Sequence, residues 1–442
     1  MINLKTILEN SVAETFLKST IFMVLRVLSF ILAYVFAFLT IRYFDESVYG
    51  FVTMSFTVMI IVSVFCVMGF DIALTKLFAE ENSIERHGSK FYSALLVSLT
   101  ISLMACSSIY VFSDFISLHF FKKPNFSPYL QWTALTIPFW SLLLIISGTY
   151  RGLKNIWFYS IFNSFGRFLL ALLLLLLLAG VVSENIVANT TPVIGHFIGI
   201  VLLFSIAFIL AFFKIKPRKI KINRTFKEFF SFSTSIFISA SLIILLTWSD
   251  KLILGIFVEE ELVGIYDIAI RISALIIFSL DAINSILTPK LSTAFYKNEL
   301  VKMQSEINTI SKVNILVSLF VFVLIIIFNP FIFKMFSEDF LLGQTALYIV
   351  CIAQLINSFT GPVWNIMQMT GQQKALSKIL IITLIVNIFL NIVLIKEYGI
   401  EGAAIATGIS IILWNITATV YIYKKLGIRT YYFPKRFSKA YD

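Results

Sequence analysis

Charge is scarce in this chain. Only 13% of its 442 residues are Asp, Glu, Lys or Arg, against 59% hydrophobic residues and a mean hydropathy of +0.93. A soluble globular domain carries about 25% charged residues. So few charges cannot solvate a surface in water, which points to the bilayer as solvent. Cysteine is also scarce. Cys66, Cys106 and Cys351 all fall in apolar runs, where a thiol packs as a small apolar group. With three histidines in the chain, no Cys/His cluster has metal-ligand spacing, so no metal or other cofactor is expected. Long polar stretches are missing too. The longest connections, 71–90 and 288–310, are about twenty residues, too short for an independent catalytic domain. No paired-carboxylate site is readable, and the expectation is that the chain is not an enzyme.

Apolar runs fill the rest. A hydrocarbon core of about 30 Å requires roughly 20 apolar residues per helix. Twelve runs meet that requirement, at 18–40, 51–70, 91–112, 129–149, 158–182, 192–213, 229–248, 263–287, 311–328, 340–361, 377–395 and 400–423. They are continuous and do not alternate, which disfavours barrel strands of about 9–11 residues. The first run is long and lacks a cleavage-site pattern, so it reads as a retained span. The expected fold is all-α and polytopic.

The net charge of +11 would suggest nucleic acid in a soluble protein; here the placement of the charges explains it better, and no nucleic-acid partner is expected. With the N-terminus inside, 26 basic residues lie on cytoplasmic segments and 6 on the opposite side. Such a bias over short loops predicts both termini in the cytoplasm. The densest basic segment, from Lys214 to Lys227, is read as a topology signal that also meets anionic headgroups.

The second half repeats landmarks of the first. Gly50 is answered by Gly264 and Lys76 by Lys290 at one and the same offset, and Gly152 by Gly371 at a slightly larger one. The division expected from this repeat is a six-helix lobe over 1–213, a basic linker over 214–228, a second six-helix lobe over 229–423 and a basic tail over 424–442. Internal repeats are a recurring plan for secondary transporters.

Four stretches carry a family resemblance. Arg42-Tyr-Phe-Asp-Glu-Ser-Val-Tyr-Gly-Phe51 resembles an "aRllgpeeyGlf" pattern, and Val67-Met-Gly-Phe-Asp-Ile-Ala-Leu74 an "lGldxal" pattern. Ser249-Asp-Lys-Leu-Ile-Leu-Gly-Ile-Phe257 and Val263-Gly-Ile-Tyr-Asp-Ile-Ala-Ile-Arg271 together resemble "sDrlllg…vGlYxlAxrl". Asn387-Ile-Phe-Leu-Asn391 with Tyr398–Thr407 is similar to "NixLNxxLIpxyGixGAAiAT". These patterns mark Wzx-type O-antigen and capsule repeat-unit flippases, the polysaccharide branch of the MATE-like exporters. The 113–128 region matches none of them.

The resemblance implies two six-helix lobes around a central cavity. It also implies a cargo, undecaprenyl-pyrophosphate bearing an oligosaccharide repeat unit. The cargo would pass from the cytoplasmic to the outer leaflet of a bacterial inner membrane by alternating access. Expected partners are a polymerase and a chain-length regulator, with a proton or sodium gradient as energy source. The alternatives are a drug or cation antiporter of the same superfamily, a membrane enzyme of polysaccharide assembly, and a scaffold.

Charges within or beside the spans are candidate sites, because burying one in a span costs at least about 2.5–3.5 kcal/mol. Arg26, Arg167, Arg271 and Asp281 are candidates for contact with an anionic cargo, arginine offering a planar fork suited to phosphate. The alternative is internal pairing, and Asp267, four residues before Arg271, could supply it. Arg42, Asp71, Asp250 and Lys251 at span ends are gating candidates. His196 is a candidate for proton coupling. Asn387 and Asn391, on one face of a span, are expected to bond to a neighbouring helix.

Overall fold

A computed structural model describes residues 4–80, 83–181, 189–216 and 224–432. Nearly all of it is helical. The helices are α1 (Leu4–Tyr43), α2 (Glu46–Val67), α3 (Phe70–Leu77), α4 (Ser83–Val111), the single turn α5 (Ser113–Phe115), α6 (Ser127–Gly152), α7 (Ile156–Ser160), α8 (Gly166–Val181), α9 (Thr191–Lys214), α10 (Arg224–Phe257), α11 (Glu260–Tyr296), α12 (Leu300–Phe336), α13 (Gln344–Thr360), α14 (Val363–Met369) and α15 (Gln373–Leu426).

Among the described residues, ten helical segments are long and apolar enough to cross a membrane. One of them, α15, contains two of the expected spans. Gly399 sits at φ 55°, ψ −127° in its middle. A side chain on Gly402 would lie 2.1 Å from the Leu394 carbonyl oxygen. The chain reverses here, and Asn387 reaches Ser410 from the opposite arm. With α11 covering the 263–287 run, the twelve expected spans all fall on helices. The protein is a multi-pass membrane protein.

The chain forms two compact units, Met1–Ile244 and Leu245–Asp442, dividing within α10. The expected linker at 214–228 lies upstream of that division; 217–223 of it, and most of the expected tail, lie outside the described residues.

In the first unit α2 and α3 are separate helices. Asp45 caps α2, accepting from the Val48 amide at 2.7 Å. Met68 and Gly69 then turn left-handed, at φ 49° and 73°. The break lets α3 pack against α6 at close range. A Cβ on Gly148 would meet the Asp71 carbonyl oxygen at 2.3 Å, and one on Gly152 the Thr75 carbonyl oxygen at 2.6 Å. The Thr75 hydroxyl locks the contact by donating to the Gly148 carbonyl at 2.7 Å. The start of α10 belongs to this unit: Ser233 donates to the Met68 carbonyl at 2.5 Å, and Phe70 packs among Phe226, Phe229 and Phe230.

The second unit repeats these element starts. Glu260 opens α11 as Glu46 opens α2, Gln344 opens α13 as Ser127 opens α6, and Gln373 opens α15 as Ile156 opens α7, all at nearly one offset. The repeat is not complete, because α11 runs unbroken for 37 residues where α2 and α3 are divided.

Candidate functional site

Each unit buries a cation, and the two do so with different partners.

In the second unit, α10 and α11 form a hairpin turning at Val258–Glu259. Residues about eight positions either side of the turn therefore face each other. The Lys251 ammonium meets Asp267 Oδ1 at 2.5 Å, and Arg271 Nε donates to Asp267 Oδ2 at 2.6 Å. Asp267 is fully buried and Lys251 nearly so, while the Arg271 side chain keeps 22% exposure. Lys251 also lies 4.3 Å from the centre of the Trp248 ring.

Beside this triad, Asp250 accepts from the Tyr266 hydroxyl at 2.8 Å, the Thr407 hydroxyl at 3.2 Å and the Lys251 amide at 2.7 Å. The cluster thus sets two carboxylates against two cations. A polar ladder continues from it. Ser249 donates to Asn387 Oδ1 at 3.1 Å, Asn387 Nδ2 donates to Ser410 at 3.0 Å, and Asn391 Nδ2 donates to the Asn387 carbonyl at 2.9 Å. Three helices are thereby tied together by side chains on α10, α11 and α15.

In the first unit, the five-residue π-turn Ile161–Phe165 precedes α8 and sets the facing of Arg167, the second residue of that helix. π-turns inside helices frequently mark functional positions. Arg167 is buried, and its Nε donates to His196 Nε2 at 2.9 Å. His196 reaches it because Gly199 lets α9 approach α8, with a Cβ there only 3.2 Å from that of Leu170. The guanidinium carbon lies 4.9, 4.9 and 5.0 Å from the ring centres of Phe56, Trp140 and Phe168. An imidazole nitrogen that accepts a hydrogen bond carries no proton, so His196 is neutral here, with its proton on Nδ1.

The other candidates are scattered. Arg26 is half-buried on α1 and has a polar or ring partner of its own; one turn on, Ser29 reaches Ser164 in the π-turn at 3.3 Å. Arg42 is exposed at the end of α1. The Asp281 side chain lies outside the described residues. Asp71 sits on α3, beyond the end of the α2 span. Its burial against α6 pushes its carboxyl up to about 6, with local backbone hydrogen bonds and Arg151 pulling partly back.

The structure therefore joins Asp250, Lys251 and Arg271 in one site and Arg167 with His196 in another. It adds Tyr266, Thr407 and Ser249 to the first, and Phe56, Trp140 and Phe168 to the second. Sequence reading passed over these because hydroxyls and aromatic rings are ordinary span residues, recognisable as partners only once the helices are packed. It also placed Asp250 and Lys251 at a span end, whereas α10 continues to Phe257 and buries both.

The polysaccharide biosynthesis protein family matches residues 16–296, more than half of the chain. The chain belongs to this family. The MatE family also matches, over residues 235–393. Two curated relatives come from Haloferax volcanii. The "Probable low-salt glycan biosynthesis flippase Agl15" is 27% identical over 42% of this chain, and the "Probable flippase AglR" 28% identical over 39%. The aligned regions span only 40% and 37% of those relatives' own length.

The fold is similar to that of the lipid II flippase MurJ in an inward closed conformation, with a TM-score of 0.73 at 17% identity over 91% of this chain and 87% of that one. It is as similar to an inward-facing multidrug resistance MATE family transporter of the MOP superfamily, at 0.72 and 13% identity over 92% and 94%. At these identities the likenesses establish the fold alone.

Proposed function

We propose that this protein is a flippase for lipid-linked glycans, moving an anionic, sugar-bearing lipid from one leaflet to the other. Membership of the polysaccharide biosynthesis family carries this reading, and the names of the two archaeal relatives agree with it. The finer form is a polyprenyl-diphosphate oligosaccharide, undecaprenyl-linked and serving O-antigen or capsule assembly in a bacterial inner membrane. Movement would be by alternating access under a proton or sodium gradient, with both termini cytoplasmic and a polymerase and chain-length regulator as downstream partners.

In this reading the partly exposed Arg271 engages the diphosphate. Its Nε is committed to Asp267, which fixes the guanidinium plane, and a fixed guanidinium suits a phosphate oxygen pair. Arg26 is proposed as a second contact. Arg167, enclosed by three rings and His196, is proposed as a structural cation.

A drug or cation antiporter is the second reading, favoured by the MatE match and the multidrug-transporter likeness. Against it stands the cluster chemistry: Asp267, the acid such a cargo would seek, is already held by Lys251 and Arg271.

Deleting the gene in its own host tests the reading. Lipid-linked glycan should accumulate on the cytoplasmic leaflet and the surface glycan should be lost. Normal surface glycan with heightened sensitivity to cationic dyes would favour the antiporter.

A further inference from the structure

The second unit holds a cavity of about 1090 Å³ between the start of α12 and the end of α15, well away along the chain from the Lys251–Asp267–Arg271 cluster. We propose that this cavity is a binding site for an anionic membrane phospholipid, independent of the cargo route.

Its lining changes character along α12. Gln304, Asn308 and Lys312 form a polar band between Leu300 and Val301 at the helix start and the apolar run that Val313 and Leu316 begin. Arg429 contributes a second cation from the segment after α15, and no acidic residue is among the described lining. Tyr423, exposed at the end of α15 just before Lys424 and Lys425, lies at the same level. Aromatic and basic residues at the end of an apolar run mark the headgroup depth of a bilayer. A pocket that is cationic at that depth and apolar deeper fits a ligand with a phosphate at one end and a chain at the other. Neutral lipids offer no net charge to the two cations.

The wall is firmly held. Gln304 clasps the Arg429 backbone at both ends of its amide, accepting from the amide nitrogen at 2.8 Å and donating to the carbonyl at 2.9 Å. Ser311 donates to the Thr430 carbonyl at 3.1 Å. Gly361, at φ 77°, sits so close that a Cβ would lie 2.1 Å from the same carbonyl oxygen. The backbone of the segment carrying Arg429 is therefore fixed against α12. The volume is at the upper end of small-molecule sites, which run to about 1,000 Å³, room for a headgroup and the upper part of its chains.

The test compares the full-length protein with and without Tyr423→Trp, so that the difference isolates position 423 from the six native tryptophans, in vesicles of phosphatidylcholine doped with brominated phosphatidylglycerol or, separately, brominated phosphatidylcholine. Bromine quenches a tryptophan it touches. Quenching should be stronger with the brominated anionic lipid. Lys312→Gln with Arg429→Gln should weaken that preference by about 25-fold, from about fivefold per cation at an interface. Lys312→Arg should retain it and report that the fold survives. Equal quenching by the two lipids, or a preference unchanged in the double variant, would overturn the proposal. So would displacement of the brominated lipid by equimolar polyprenyl phosphate, which would make this a cargo site.

Discussion

The two units bury their cations in opposite ways. In the first, Arg167 rests against π-faces and a neutral imidazole. In the second, Lys251 and Arg271 share the carboxylate of Asp267. Corresponding helices of the two units follow one another in the same order and at a nearly constant offset, yet the buried groups are not equivalent by position. Duplication thus explains the framework, and the chemistry has diverged on it. The difference matters because a cation–carboxylate pair is directional and intolerant of losing one member, whereas an aromatic enclosure is graded and tolerates partial loss.

The largest expected effect comes from Asp267→Asn. It leaves two cations facing each other in a buried site, and removing one partner of a buried pair costs about 3–5 kcal/mol. Thermal unfolding in detergent should show a large drop, whereas Lys251→Met, which leaves the Arg271–Asp267 pair intact, should cost less. Equal losses would mean that the Arg271–Asp267 contact contributes nothing once Lys251 is gone.

Arg167→Gln should cost about 1–3 kcal/mol, combining a lost charged hydrogen bond with lost ring contacts. Arg167→Lys should recover part of that loss, since an ammonium still meets the rings. A lysine variant as unstable as the glutamine variant would show that the fork to His196 dominates.

Gly148→Ala is expected to be of similar size or smaller, about 1–3 kcal/mol, because α3 must move away from α6 to admit a methyl group against the Asp71 backbone. Protease sensitivity of the α3 region should rise in parallel. The corresponding contact has no counterpart in the unbroken α11, so a substitution within α11 should not reproduce it.

A separate effect is a pH dependence. The Asp71 carboxyl is raised to about 6 in the folded protein from an ordinary value of 3.8. The folded state therefore holds a proton that the unfolded chain has released. The associated stability is present below about pH 4 and is lost as the pH rises through about 6. Asp71→Asn should match the parent at pH 4 and melt higher at pH 8; a constant offset at both would remove burial as the cause.

Much of the fold was legible in the sequence because span length and hydropathy are local. The twelve runs, the pairing of Arg271 with Asp267 at helical spacing and the cross-helix bonds of Asn387 could all be read from neighbours along the chain. The Lys251–Asp267 and Arg167–His196 pairs could not, since they depend on how far each helix rotates before it packs. The break at Met68–Gly69 was equally hidden. Its glycine is visible in the sequence, but the need for it comes from the backbone of Ser233 and Phe237 lying 2.7–3.0 Å from the missing Cβ. The reversal at Gly399 was placed between two runs by hydropathy, and its geometry appeared only with the close contact of Gly402 on Leu394.

The most direct measurement is leaflet translocation in proteoliposomes, using a polyprenyl-diphosphate oligosaccharide whose sugar is accessible to an enzyme added outside. The protein should bring inner-leaflet lipid into reach of that enzyme, and Arg271→Gln should slow this by more than Lys251→Met does, although both variants lose an ion pair to Asp267. Protection of the inner-leaflet sugar in the presence of the folded parent protein, with active uptake of a cationic dye by the same vesicles, would contradict the account.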